Sequence, residues 1–180
     1  MRFLPLLLIF VLLAGCQPSP QYQKHVTVPA KGWSYNFQPQ FRIEIKDTTA
    51  AYRLFFIIRH TNAYPFSNIW LRLRTKGPGE TQFKEERFEV TLASPTAVLP
   101  DGSLSGGWLG RGMGQVWEQR MPLVTKQQPL TFSKPGIYTF RLAQDMRLNP
   151  LPEIIQVGLR MENMGQATPQ NQDKQAAVKP

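Results

Sequence analysis

The 180-residue chain has one cysteine and two histidines, and its 12 acidic residues are outnumbered by 21 basic ones. A single cysteine excludes an intramolecular disulfide, so packing alone must hold the fold even in an oxidising compartment. Zinc chemistry lacks its parts, with no second thiol and no histidine pair at ligand spacing, and no acidic loop suits calcium. Neither a metal nor a cofactor is expected. A Ser-His-Asp triad would have to use His60, because His25 lies close to the N-terminus, and no Gly-x-Ser-x-Gly elbow accompanies it. His60 is expected instead as a partly exposed strand-end residue. Glu85 and Glu86 are neighbours that a strand points to opposite faces, so they cannot flank one glycosidic bond. The chain is not expected to be an enzyme. No segment shows a persuasive amphipathic helix, and no apolar run reaches the roughly 20 residues that span a bilayer.

The longest apolar stretch is Phe3 to Leu13, interrupted by Pro5 and preceded by Arg2, which is the layout of a secretory signal peptide. It ends in Leu13-Ala14-Gly15-Cys16, which resembles the lipobox of bacterial lipoproteins. That resemblance implies lipid on the Cys16 thiol, cleavage before it, and acylation of the new amine. Two or more chains anchor firmly where one binds only marginally. With residues 1–15 removed, Gln17 follows the cysteine and no acidic residue appears before Glu44, a pattern that favours the outer membrane and its periplasmic face. Residues 16–32 are polar and contain proline, and they are expected to be a lipidated tether; the domain is expected over 33–164. Residues 165–180, with no aromatic and few apolar side chains, are expected to be a disordered tail.

Hydrophobic content of 42% supports a globular domain, and within it apolar residues recur at period two between Gly, Pro, Asn and Asp. Strands are predicted at Ser34–Phe37, Arg42–Ile45, Tyr52–His60, Ile69–Thr75, Glu86–Leu92, Gln115–Glu118, Leu130–Phe132, Tyr138–Leu142 and Ile154–Met161. Tyr52 to Ile58 is apolar on both faces, as a central, covered strand would be. The expected fold is all-β: an antiparallel β-sandwich of jelly-roll or immunoglobulin-like type, in one domain.

The net charge of +9 suits nucleic acid, anionic headgroups or an acidic partner protein. Its cations form no block, however. Arg42 and Lys46, or Arg72 and Arg74, alternate with apolar positions, which describes wet strand faces, and no nucleic-acid partner is expected. Gly106-Gly107-Trp108-Leu109-Gly110-Arg111-Gly112-Met113-Gly114 lacks the Lys-Ser/Thr ending of a phosphate loop. Its glycines let the backbone bend tightly with Trp108 as an anchor, or else Trp108, Arg111 and Trp117 form an exposed binding patch. A second cluster, with Tyr64 and Trp70, either caps the core or offers a ligand platform.

Taken in order, Leu-Ala-Gly-Cys16, Tyr64-x-Phe66-x-Asn68-Ile69-Trp70-Leu71, Gly107-Trp108-Leu109-Gly110-x-Gly112, Pro135-Gly136-x-Tyr138-x-Phe140, Gln144-Asp145-Met146-Arg147 and Val157-Gly158-Leu159-Arg160 resemble the GldH-type gliding-motility lipoproteins of Bacteroidota. The resemblance implies an accessory envelope lipoprotein, needed for gliding in gliding species and linked to type IX secretion, with no catalytic residues. Three roles follow in order of preference. The first is an interaction or assembly protein using Trp108, Arg111, Trp117, Tyr64 and Trp70. The second is a carbohydrate-binding module presenting aromatic faces to glycan, and the last a hydrolase using His60.

Overall fold

The computed structural model describes residues 20–94, 97–98, 104–105, 107–123 and 129–166. Residues 1–15, Cys16 and the tail beyond Gln166 lie outside them. Eleven strands appear among the described residues: β1 (Tyr22–Thr27), β2 (Gln40–Ile45), β3 (Ala50–Thr61), β4 (Asn68–Lys76), β5 (Lys84–Thr91), β6 (Ala97–Val98), β7 (Leu104–Ser105), β8 (Arg111–Met113), β9 (Val116–Pro122), β10 (Gly136–Gln144) and β11 (Ile154–Gln166). They form a five-stranded sheet in the order β1-β11-β3-β9-β8 and a four-stranded sheet in the order β2-β10-β4-β5, with β6 and β7 as a small separate ladder. Every pairing is antiparallel. The two sheets pack face to face as a single β-sandwich, the architecture that the period-two patterning implies.

Alternation decides which side chains meet between the sheets. Phe41, Ile43 and Ile45 of β2, Ile69, Leu71 and Leu73 of β4, and Tyr138, Phe140 and Leu142 of β10 are buried on one side. Leu54, Phe56 and Ile58 of β3 and Val157, Leu159 and Met161 of β11 are buried on the other, in the same core cluster. Burying each such side chain is worth roughly 1.5–3 kcal/mol. The core is rich in β-branched and aromatic residues, which suit a pleated, half-buried surface.

Three readings of the sequence change against the structure. First, β1 lies within residues 16–32, the stretch expected as a tether, and pairs along its length with β11. Its pattern is hard to see because only Tyr22 and Val26 are apolar, and the strand is held chiefly by backbone bonding at a sheet edge. Second, the strand predicted at Ser34–Phe37 is a turn closed by Phe37 N–H to the Ser34 carbonyl at 3.1 Å. Leu130–Phe132 keeps only a bridge from Leu130 to Tyr52. Third, β11 continues to Gln166, which pairs with Ala50, so the first two residues of the expected tail belong to a strand. β3 sits third in its sheet, as a central strand should, and its outward-facing Ile57 is buried as well.

The sandwich has two ends. At one, β1 starts, β2 ends at Ile45, β3 starts and β10 starts. At the other lie His60, Asn68 and Gln144, together with the glycine-rich turn before β8.

Candidate functional site

The five residues expected to form one interaction surface are divided by strand alternation. In the pairs Arg111 with Glu118 and Gly112 with Trp117, successive residues of β8 and β9 face opposite ways. Trp117 therefore joins His60, its partner across β3, on the inner side, while Arg111 points outward. Trp117 is half-buried beneath Gly112, where an added Cβ would stand 2.9 Å from the indole, and its Nε1–H donates to Asn62 Oδ1. Trp108 is also half-buried, its ring 4.5 Å from the His60 imidazole. Tyr64 is only 3% exposed and donates to the Asn68 carbonyl at 3.0 Å, and burial pushes its phenol well above the usual value. Tyr64 is thus a core residue rather than a surface one, and Trp108 and Trp117 anchor the glycine-rich turn over it.

His60 is fully buried, not partly exposed as the sequence suggested. Its Nδ1–H donates to the Thr61 carbonyl at 2.9 Å, leaving Nε2 to accept from the Gln119 amide at 3.1 Å. The same amide nitrogen donates to the Leu92 carbonyl at 2.7 Å, linking β9 to the end of β5 in the opposite sheet. Protonated Nε2 would meet a donor here, and burial pushes the imidazole below its ordinary 6.5. The folded state therefore binds fewer protons than the unfolded one. This contribution to stability is complete above about pH 6.5 and declines as pH falls through that value towards the lower folded one. Melting curves at pH 7 and pH 5 should show a smaller acid loss in His60→Gln than in the wild type; equal losses would mean that His60 is not the group responsible.

Trp70 lies on the outer face of the four-stranded sheet, where Arg87 stacks its guanidinium 3.9 Å from the ring. Asp145 receives Arg87 Nε at 2.6 Å and stands 3.1 Å from Arg72 Nε, an ion pair in the second case without hydrogen-bond alignment. The Trp70 amide donates to Met146 Sδ, and the Asp145 amide to the Trp70 carbonyl. Two sequence motifs, the one ending at Leu71 and Gln144-Asp145-Met146-Arg147, thus meet in space. The fully buried Gln144 accepts from the Met146 amide at 2.7 Å and so sets their geometry.

A polar hollow lies on the outer face of the five-stranded sheet. About 340 Å³ in volume, it is lined by Gln23 of β1, Arg160 of β11, Ile57 of β3, Arg120 and Glu118 of β9, and Arg111 with Gly110. Arg160 is held by Glu162 at 2.6 Å and donates to Gln23 Oε1 at 2.8 Å. Arg59 pairs with Glu118 at 2.8 Å. Arg120 reaches Glu162 only at 4.0 Å, and Arg111 has no ion-pair partner among the described residues. The sequence offers Arg111 as part of a patch with Trp108 and Trp117, and otherwise describes its cations as scattered along wet strand faces. The signal that unites them is the pairing order of the strands, which no local pattern carries. Among the described residues no group of acidic, histidine or cysteine side chains could hold a metal, and no helix is long and apolar enough to cross a membrane.

A family model described as GldH lipoprotein matches residues 21–161, beginning one residue before β1 and ending within β11. The chain is 27% identical over 159 residues to the gliding motility lipoprotein GldH homolog of Christiangramia forsetii, covering 84% of this chain and 89% of that protein. It is 26% identical over 164 residues to the gliding motility lipoprotein GldH of Flavobacterium johnsoniae, covering 87% and 93%. A chain titled as a Nora virus structure overlaps at a TM-score of 0.23 with 13% identity, covering 88% of this chain and 63% of that one, too slight to bear on the fold.

Proposed function

Because the chain belongs to the GldH lipoprotein family, we propose that it is a non-catalytic assembly component of an envelope complex serving motility and type IX secretion. Its anchor is lipid on Cys16, in the outer membrane on the periplasmic side. The observation that carries this reading is the family match, which runs through nearly the whole folded domain. A buried, doubly hydrogen-bonded His60 supports a structural rather than a hydrolytic role for the one histidine within the sandwich core.

The anchor sets an orientation. Only Gln17-Pro18-Ser19-Pro20-Gln21 separates Cys16 from β1, and the Gln21 side chain donates to the Glu44 carbonyl at the end of β2. So short a tether reaches about 20 Å at most. The end of the sandwich bearing Tyr22, Lys46, Arg53 and Lys134 therefore stays near the headgroups. The opposite end, with Trp70, Trp108 and Trp117, projects into the periplasm, where an envelope partner can meet it. Glycan binding is less favoured, since Trp70 already carries Arg87 over its ring, Trp108 packs edge-to-face with His60 and Trp117 lies half-buried beneath Gly112.

Mass spectrometry of native material should find a triacylated Cys16 at the N-terminus, and cross-linking in cells should capture a defined envelope protein that is lost when Cys16→Ser releases the chain. An intact, unmodified N-terminus, or a wild-type chain that captures nothing, would sink the reading.

A further inference from the structure

The hollow on the five-stranded sheet is a trough rather than a point. Its lining takes at least one residue from β1, β11, β3 and β9 and reaches Arg111 of β8, so it crosses the full width of the sheet. Four strand spacings make that width roughly 19 Å, the length of five or six residues of extended chain. Its middle is low because Gly158 of β11 carries no side chain on this face and its neighbour Ile57 is only 3% exposed.

Charge identifies the occupant. Three guanidiniums (Arg111, Arg120 and Arg160) and one carboxylate (Glu118) line it, and Glu118 is already engaged by Arg59, and Arg160 by Glu162, both just outside the lining. Arg160, with its side chain 13% exposed, is held in place before any ligand arrives, so little side-chain freedom is lost on binding. Arg111 and Arg120, one at the sheet edge and one over the Phe55 ring at 5.5 Å, keep fork-shaped donors unspent. The geometry points to an acidic polypeptide segment, laid extended across the sheet from β1 to β8, as the ligand of this trough, with partner carboxylates received bidentately by Arg111 and Arg120. This assignment rests on the docking role proposed above and supplies its chemistry. It also makes use of the charge excess, since a cationic trough speeds encounter with an acidic partner at low salt.

The test uses the full chain in detergent micelles with a synthetic hexaglutamate peptide. Binding followed by calorimetry should be saturable, should weaken at least tenfold between 50 mM and 500 mM salt, and should weaken at least tenfold in R111E/R120E. Both side chains are solvent-exposed, so the variant is expected to melt with the wild type; if it does not, R111Q/R120Q serves in its place. Equal binding by wild type and variant would overturn the assignment. So would inorganic phosphate binding as tightly as the peptide, or polygalacturonate binding where the peptide does not. Capture of the envelope partner in cells separates the two claims. A partner captured equally by R111E/R120E leaves the docking role standing and removes the trough from it, whereas a wild type that captures nothing while binding hexaglutamate removes the docking role alone.

Discussion

Trp33→Ala is expected to lower the unfolding midpoint by about 10 °C, a loss of roughly 3–5 kcal/mol from a total stability on the order of 10 kcal/mol. The indole is fully buried and its Nε1–H donates to the Phe37 carbonyl at 2.8 Å. The Trp33 backbone exchanges bonds of 2.8 and 2.9 Å with Leu151, and its carbonyl also receives the Gln144 amide at 3.3 Å. Removing the ring leaves a cavity in the core cluster and an unpaired carbonyl at Phe37. Because Gln144 also positions Met146, the damage should spread to the Asp145 pairs with Arg72 and Arg87 beside Trp70. Trp33→Phe keeps most of the apolar volume and gives up the Nε1–H bond, so about 1–2 kcal/mol is expected there. Thermal melts of the two variants decide the matter: an alanine variant melting within two degrees of the wild type would show that Trp33 does not close this end of the sandwich.

What the sequence discloses and what it withholds divide along the same physical line. Where one sheet face is buried and the other wet, alternation is visible, as in Tyr138, Phe140 and Leu142 with Thr139 and Arg141 between them, and those strands are found where the pattern puts them. Where a strand is held by backbone pairing at an edge, the pattern thins, and β1 with its Lys24 and His25 looks like linker. Ser34–Phe37 errs the other way. Its aromatics are spaced like a strand, but the preceding Trp33 donates to the Phe37 carbonyl and Tyr35 reaches the distant Met146 carbonyl at 2.6 Å, bonds that go with a turned backbone. The aromatic clusters are visible as clusters, yet whether a tryptophan faces in or out depends on register. A shift of one residue between β8 and β9 would exchange Arg111 and Gly112 across the sheet. His60 is a further instance, because its acceptor role comes from Gln119, 59 residues away. Arg120 and Arg160 share one face only through the order β11-β3-β9, Arg160 standing opposite Phe55 and Arg120 opposite the next outward residue of β3, Ile57.

The contact between β1 and β11 supplies the second large effect. Gly158 faces His25 in the register, and a Cβ added there would lie 2.5 Å from the Lys24 carbonyl oxygen and 3.3 Å from the His25 Cα. Both are backbone atoms, so no rotamer change relieves the overlap; the strand itself must move. β3 flanks β11 on its other side and is buried within the sheet, whereas β1 is the edge strand, with no strand beyond it among the described residues. The displacement therefore falls on β1. Gly158→Ala is expected to cost about 2–3 kcal/mol, the scale of overpacking a well-packed site. It should also speed amide exchange selectively over Tyr22–Thr27, leaving β3 and β10 protected until global unfolding. Two consequences reach function. Gln23 leaves the trough, which loses the partner that steadies Arg160, so hexaglutamate affinity should fall without any arginine being changed. The tether also gains the six residues of β1, so the membrane-near end of the sandwich is no longer kept within a short reach of the lipid. Exchange in β1 as slow as in the wild type would show that the strand accommodates the methyl group, and the close approach at Gly158 would then not be what holds the tether to the sheet.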